Sequence, residues 1–319
     1  MKSFLKPGRW LLLLPVFFVS LVFAEAEEES RPAQEIKPIP VRILPSAHKA
    51  LASQLYSGKK GLFASGERGH IFYSSTGKID DFQQLQTPAR QYLTALTGDG
   101  DQRLWAVGHD SIILHSGDSG KTWQVQHFKV KWQKPLFDVL FIQKDEVIAV
   151  GAYGLYLRTL DGGKTWAEIM VNEEEPHFFD ADLTPSGKVY LVGEFGTVMR
   201  CSSSGENPER IETDSDGTFF GIEVVGEDEW FGYGLRGRIY HFNKGESELL
   251  SNDSKASIFG SLPHKGGITF FGADGYLLNY SGGKTTAKSL PERVGITDGV
   301  VSGPDLILST TEGFRVLRW

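Results

Sequence analysis

The chain repeats itself about every 40 residues, and that period limits its architecture more than any single residue does. A block of two apolar residues, Gly-x-x-Gly and a short alternating apolar run recurs through the sequence. Its second glycine position falls at Gly69, Ser111, Gly154, Gly196, Gly237, Gly275 and Gly313. Helical repeats of similar length would show apolar residues every three to four positions; here the apolar runs are short, alternating and broken by turn residues. In the third copy, residues 137–142, 147–150, 155–158 and 167–171 read as four strands separated by polar or glycine-containing turns. Four strands make one blade, so seven copies predict an all-β, seven-bladed β-propeller with four-stranded antiparallel blades. Ser111, in place of glycine, predicts a slightly different turn in the second copy.

The turn before the fourth strand carries the sharpest local motif. Residues 116–123 follow the Asp-box pattern Ser-x-Asp-x-Gly-x-Thr-Trp, with Asp118, Gly120, Thr122 and Trp123; residues 159–166 follow it with Thr for Ser, and with Asp161, Gly163, Thr165 and Trp166. The aspartate accepts hydrogen bonds within its own turn, the glycine takes the strained corner, and the indole buries apolar surface between sheets. These residues are therefore expected to be structural. Later copies are eroded, as at residues 202–205 and 281–285. The seventh copy lacks a fourth-strand pattern, and the apolar run at residues 39–44 is expected to pair with the last blade and close the ring.

The first 24 residues have the form of a secretory signal peptide: Lys2, Lys6 and Arg9, an apolar run from Trp10 to Phe23, and small residues at a cleavage site between Ala24 and Ala26. The run is shorter than the ~20 residues of a membrane-spanning helix. Residues 25–37 read as an acidic disordered linker and residues 38–319 as the propeller. Periplasmic or secreted location is the expectation, and the single cysteine, Cys201, allows no intramolecular disulfide. A formal net charge of -7 that becomes more negative on cleavage argues against a nucleic-acid partner.

No nucleophile elbow, zinc-binding helix, CxxC or phosphate-binding loop is present in the sequence, and neither a metal nor a cofactor is expected. Asp boxes also occur in sialidases, so a carbohydrate-active enzyme or carbohydrate-binding propeller is the alternative. It would need arginines such as Arg158, Arg200 and Arg238 beside catalytic carboxylates. Function is sought instead where the repeat varies. The hairpin tips of blades three to five present Tyr153, Glu194, Phe195, Leu235 and Arg236, blade one presents Arg68, and the link into blade three adds Lys129, Lys131, Trp132 and Lys134. Exposed aromatics among charges are typical of protein interfaces. A weaker candidate lies on the axis, where Asp138, Asp180 and Asp298 align with Ser53, Thr94, Gly221 and Gly260; these carboxylates would either meet a cation or cap backbone amides.

The repeat Val150-Gly151-x-x-Gly154, with Arg158, Thr159, Asp161, Gly162, Gly163, Thr165 and Trp166, resembles the photosystem II stability and assembly factor family. So do Val192 to Gly196 and the paired starts Phe137-Asp138 and Phe179-Asp180. The resemblance runs from about residue 40 to the end and is clearest in blades two to four. It implies an exported seven-bladed Asp-box propeller that is not an enzyme and binds membrane-protein subunits during assembly. The partner expected is a membrane-protein complex or transporter subunit, met by a monomer lying peripheral to the membrane.

Overall fold

The structure, a computed structural model, describes residues 37–250 and 252–318. The expected signal peptide and nearly all of the acidic linker lie outside the described residues. Among the described residues, seven antiparallel sheets surround one axis, six with four strands and one with three. Their innermost strands are Ala52–Gly58, Leu93–Gly98, Leu136–Gln143, Phe178–Leu183, Phe219–Val224, Ile258–His264 and Ile296–Ser302. Each packs against the next, and the last against the first, so the ring is closed. The chain is a seven-bladed β-propeller.

Stacking blades face to face buries both faces of the second strand. Leu104–Gly108, Glu146–Gly151 and Val189–Gly193 are accordingly buried throughout and read as continuous rather than alternating apolar runs. The core is divided among blade interfaces. Trp123 packs with Phe63, Leu93, Leu104 and Leu114 between the first two blades, and Trp166 joins Trp105, Val147 and Leu157 between the second and third.

Both complete Asp boxes hold their turns as the sequence predicts. Thr122 donates its amide to Asp118 Oδ1 at 2.8 Å and its hydroxyl to Oδ2 at 2.7 Å, while Ser116 Oγ accepts the Gly120 amide at 2.8 Å. The bonds of Thr165 to Asp161, and of the Gly163 amide to Thr159, repeat this arrangement. Intraturn hydrogen bonds hold the Asp161 carboxylate down at about 2. Glycine is required twice over. Gly120 and Gly163 have φ of +81° and +91°, and a Cβ would meet Phe63 or Gln126 of the preceding blade at 2.7 and 1.7 Å.

Closure differs from the sequence expectation. Gly313–Arg318 is the outer strand of a three-stranded last sheet. Residues 40–44 lie instead along the outer edge of the first blade: Val41 donates its amide to Thr87 O at 3.0 Å, and the side chains of Gln84, Gln86 and Arg90 donate to the carbonyls of Arg42, Val41 and Pro40. Three side chains on that edge match this segment's backbone, which fixes the choice. The first and last blades are joined near the axis, where Leu55 donates its amide to Asp298 Oδ2 at 2.7 Å and Thr297 its hydroxyl to Ala52 O at 2.6 Å.

Candidate docking face

Second-to-third-strand hairpins and interblade links share one face of the ring, and the Asp-box turns lie on the other. Six of the seven tips are nearly identical in backbone. Arg68, Asp110, Tyr153, Phe195, Arg236 and Asp274 all have φ between 54° and 60°, and each is followed by a residue that also has positive φ. Ser111 keeps this same turn, contrary to expectation. Its φ is 52°, and its hydroxyl anchors the link into blade three by donating to Lys134 O at 2.6 Å. For residues with a Cβ this left-handed geometry costs about 1–2 kcal/mol, yet blades three and four place Tyr153 and Phe195 there. Both are exposed, at 52% and 76%.

A second feature shapes this face. Every inner strand carries a register shift near its start. The bulged residues are Ser53, Thr94, Phe137, Phe179, Phe220, Phe259 and Thr297. A bulge re-aims the side chain it inserts. In blades one, two and seven the side chain is a hydroxyl: Ser53 donates to Tyr92 OH at 3.0 Å, Thr94 to Leu136 O at 2.8 Å, and Thr297 to Ala52 O. In blades three to six it is phenylalanine, with successive ring centroids 5.1, 5.6 and 5.8 Å apart. Half of the ring's inner rim is thus an aromatic arc, ending at Phe259, which is 40% exposed.

Tyr153 joins this arc through His177. The two rings meet edge to face at 4.7 Å, and His177 lies 6.4 Å from Phe137 and 6.3 Å from Phe179. Glu194 fixes that link by accepting the His177 amide at 3.2 Å. The structure therefore connects Tyr153 and Glu194. Leu235 and Arg236 occupy the neighbouring blade-five tip, where the Arg236 amide donates to Ser257 Oγ at 3.4 Å. Trp132 sits apart, against His127 at 5.5 Å and beside Lys129, on a link tied to the blade-two tip by the Lys129 amide and Asp110 O. Arg68 stands on the far side of blade two, 4.0 Å from Glu67.

The axial carboxylates accept backbone amides from the following blade. Asp138 accepts Ala181 N–H at 3.2 Å, Asp180 accepts Ile222 N–H at 2.9 Å, and Asp298 accepts Leu55 N–H. Strand pairing places Gln54 and Ala95, rather than Ser53 and Thr94, at this position. Gln54 does the same work by accepting Leu96 N–H at 2.6 Å. At Gly221 and Gly260 the rings of Tyr233 and Phe271 fill the space a side chain would take. Burial raises Asp138 and, with repulsion from Asp138, raises Asp180 well above the carboxylate range; it lifts Asp298 to about 7. Among the described residues no three metal-ligating side chains gather.

The arginines weighed for carbohydrate chemistry occupy separate blades, already paired. Arg158 binds Glu146 at 2.7 Å, Arg200 binds Glu209 at 2.8 Å and Asp228 at 3.2 Å, and Arg238 binds Asp216 at 2.6 Å.

Comparison with known proteins agrees with the ring architecture. The family model for the photosynthesis system II assembly factor YCF48 matches residues 46–159. A solved structure of YCF48 bound to D1 peptide superposes with a TM-score of 0.69 at 16% identity, covering 89% of this chain and 99% of that one. YCF48 from Cyanidioschyzon merolae gives 0.66 at 12% identity, covering 88% and 98%. The WD40 β-propeller domain of Doa1 gives 0.65 at 15%, covering 88% and 95%. At these identities the structural likeness establishes the fold. No curated protein sequence matches the chain significantly. The chain resembles the photosynthesis system II assembly factor family, in sequence over residues 46–159 and in fold over the described ring.

Proposed function

We propose that this chain is a non-enzymatic assembly factor that holds a segment of a membrane-protein complex against the tip face of blades three to six. The observation that carries the reading is the continuous aromatic surface running from Tyr153 through His177 and Phe137 to Phe179, Phe220 and Phe259, with Phe195 exposed beside it. Surfaces of this kind gain affinity by desolvating large rings among polar neighbours. Retaining aromatics in left-handed tip positions, against a backbone cost, supports a role outside folding. The similar propeller bound to D1 peptide supports peptide capture as the mode of action. Residues 1–24 support export, with the factor acting from outside the cytoplasm, as a monomer peripheral to the membrane.

The test is capture of the client from detergent-solubilised membranes. Wild-type protein is expected to retain membrane-protein subunits, and the Tyr153→Ala, Phe195→Ala double variant to lose them while keeping its thermal midpoint. Equal recovery by both proteins refutes the assignment of this face.

A further inference from the structure

The tip face also specifies the charge of what it holds. We infer that the partner segment docked across blades three and four is cationic, carrying lysine or arginine among apolar residues. This rests on the docking face proposed above and adds the sign of its partner.

The two aromatic tips are each embraced by an interblade link. Gly154, next to Tyr153, donates its amide to Pro176 O at 2.8 Å, and Gly196, next to Phe195, donates to Gly217 O at 2.8 Å. These contacts place residues 172–176 beside Tyr153 and residues 213–217 beside Phe195. Both links are acidic and contain no basic residue. The first carries Glu173, Glu174 and Glu175, the second Asp214 and Asp216 with Glu212 just ahead of it, and all six are exposed. Two arginines of the chain already dock on this sector, Arg210 on Glu174 at 3.1 Å and Arg238 on Asp216 at 2.6 Å. Glu173, Glu175, Glu212 and Asp214 form no ion pair among the described residues, although Asp214 accepts the Ser247 hydroxyl at 3.0 Å. Basic groups bound the sector on either side, at Lys131 and Arg236.

An exposed ring beside unpaired carboxylates, as at Tyr153 with Glu173 and Glu175 on the adjoining link, suits a cation twice. The ring face attracts it through the quadrupole, and the carboxylates supply long-range attraction. An anionic segment would meet Glu173 and Glu175 on the link beside Tyr153 and the acidic link beside Phe195, which selects against it.

Two fluorescent peptides of equal length and apolar content, one with four lysines and one with four glutamates, distinguish the cases by anisotropy against the folded protein. The lysine peptide is expected to bind at least tenfold tighter, with an affinity that falls as salt is raised. The variant E173K/E175K/E212K/D214K, changed only at exposed positions, is expected to reverse that order without altering the thermal midpoint. Equal or tighter binding of the glutamate peptide by wild type, or an order unchanged in the quadruple variant, overturns the inference. If that happens while the Tyr153→Ala, Phe195→Ala protein still loses its membrane client, the docking face stands and only its charge assignment falls. Client recovery unaffected by the aromatic substitutions overturns the face itself.

Discussion

Asp298 links ring closure to pH, and the substitution Asp298→Asn isolates that link. Its carboxylate faces the axis and joins the last blade to the first through Leu55 N–H at 2.7 Å; it also accepts its own blade's Gly299 N–H at 2.7 Å. Burial raises its pKa from the ordinary 3.8 to about 7. The folded protein therefore keeps a proton that the unfolded chain has released. The resulting stability is full below about pH 4 and is lost as pH rises through about 7. For that shift, linkage gives a loss of about 3 kcal/mol between pH 5 and pH 8. The residue is only partly enclosed, and screening at its exposed edge reduces this to about 1–2 kcal/mol. Asparagine cannot titrate and offers one acceptor oxygen where the protonated carboxyl still presents two to the Leu55 and Gly299 amides, so the variant should be less stable at pH 5 by about 1 kcal/mol. Its stability should also fall less steeply toward pH 8. Urea unfolding at half-unit steps between pH 5 and 8 measures both effects. Equal pH slopes in the two proteins would refute the assignment of this carboxylate as a protonated ring clasp.

Two further outcomes follow from the same interfaces. Trp123→Ala removes an indole that is 7% exposed between the first two blades, and should lower unfolding free energy by about 3–5 kcal/mol in urea titrations. Phe195→Gly relieves a left-handed phenylalanine, at φ 54°, that is 76% exposed; its unfolding midpoint should equal or exceed wild type while client capture drops.

The blades were legible because their causes are local. Glycine spacing, alternating apolar runs and the Thr165-to-Asp161 type of turn bond all act within a few residues, so the period and the Asp boxes could be read directly. The aromatic arc was only half visible. Phe137 and Phe179 stood out because an aspartate follows each, whereas Phe220 and Phe259 precede glycines and lacked that mark. The usable signal was the residue at the bulge, which strand pairing alone identifies. Every inner strand carries that bulge, so Ser53 and Thr94 belong with the phenylalanines, and Gln54 and Ala95 with the axial aspartates.

By itself, the sequence determined the seven-fold period, the blade content and the structural character of Asp118 and Asp161, since each depends on residues near one another in the chain. Only the tertiary structure decided which residues meet across blades. It joined Tyr153 to Phe137 and Phe179 through His177, turned three aspartates toward amides of following blades, and laid residues 40–44 on the first blade rather than the last. Apart from the Tyr153–His177 and His177–Phe179 pairs, those contacts link positions about one repeat or more apart, and their partners are set by ring geometry and by side chains such as Gln84 and Gln86, which no local pattern announces.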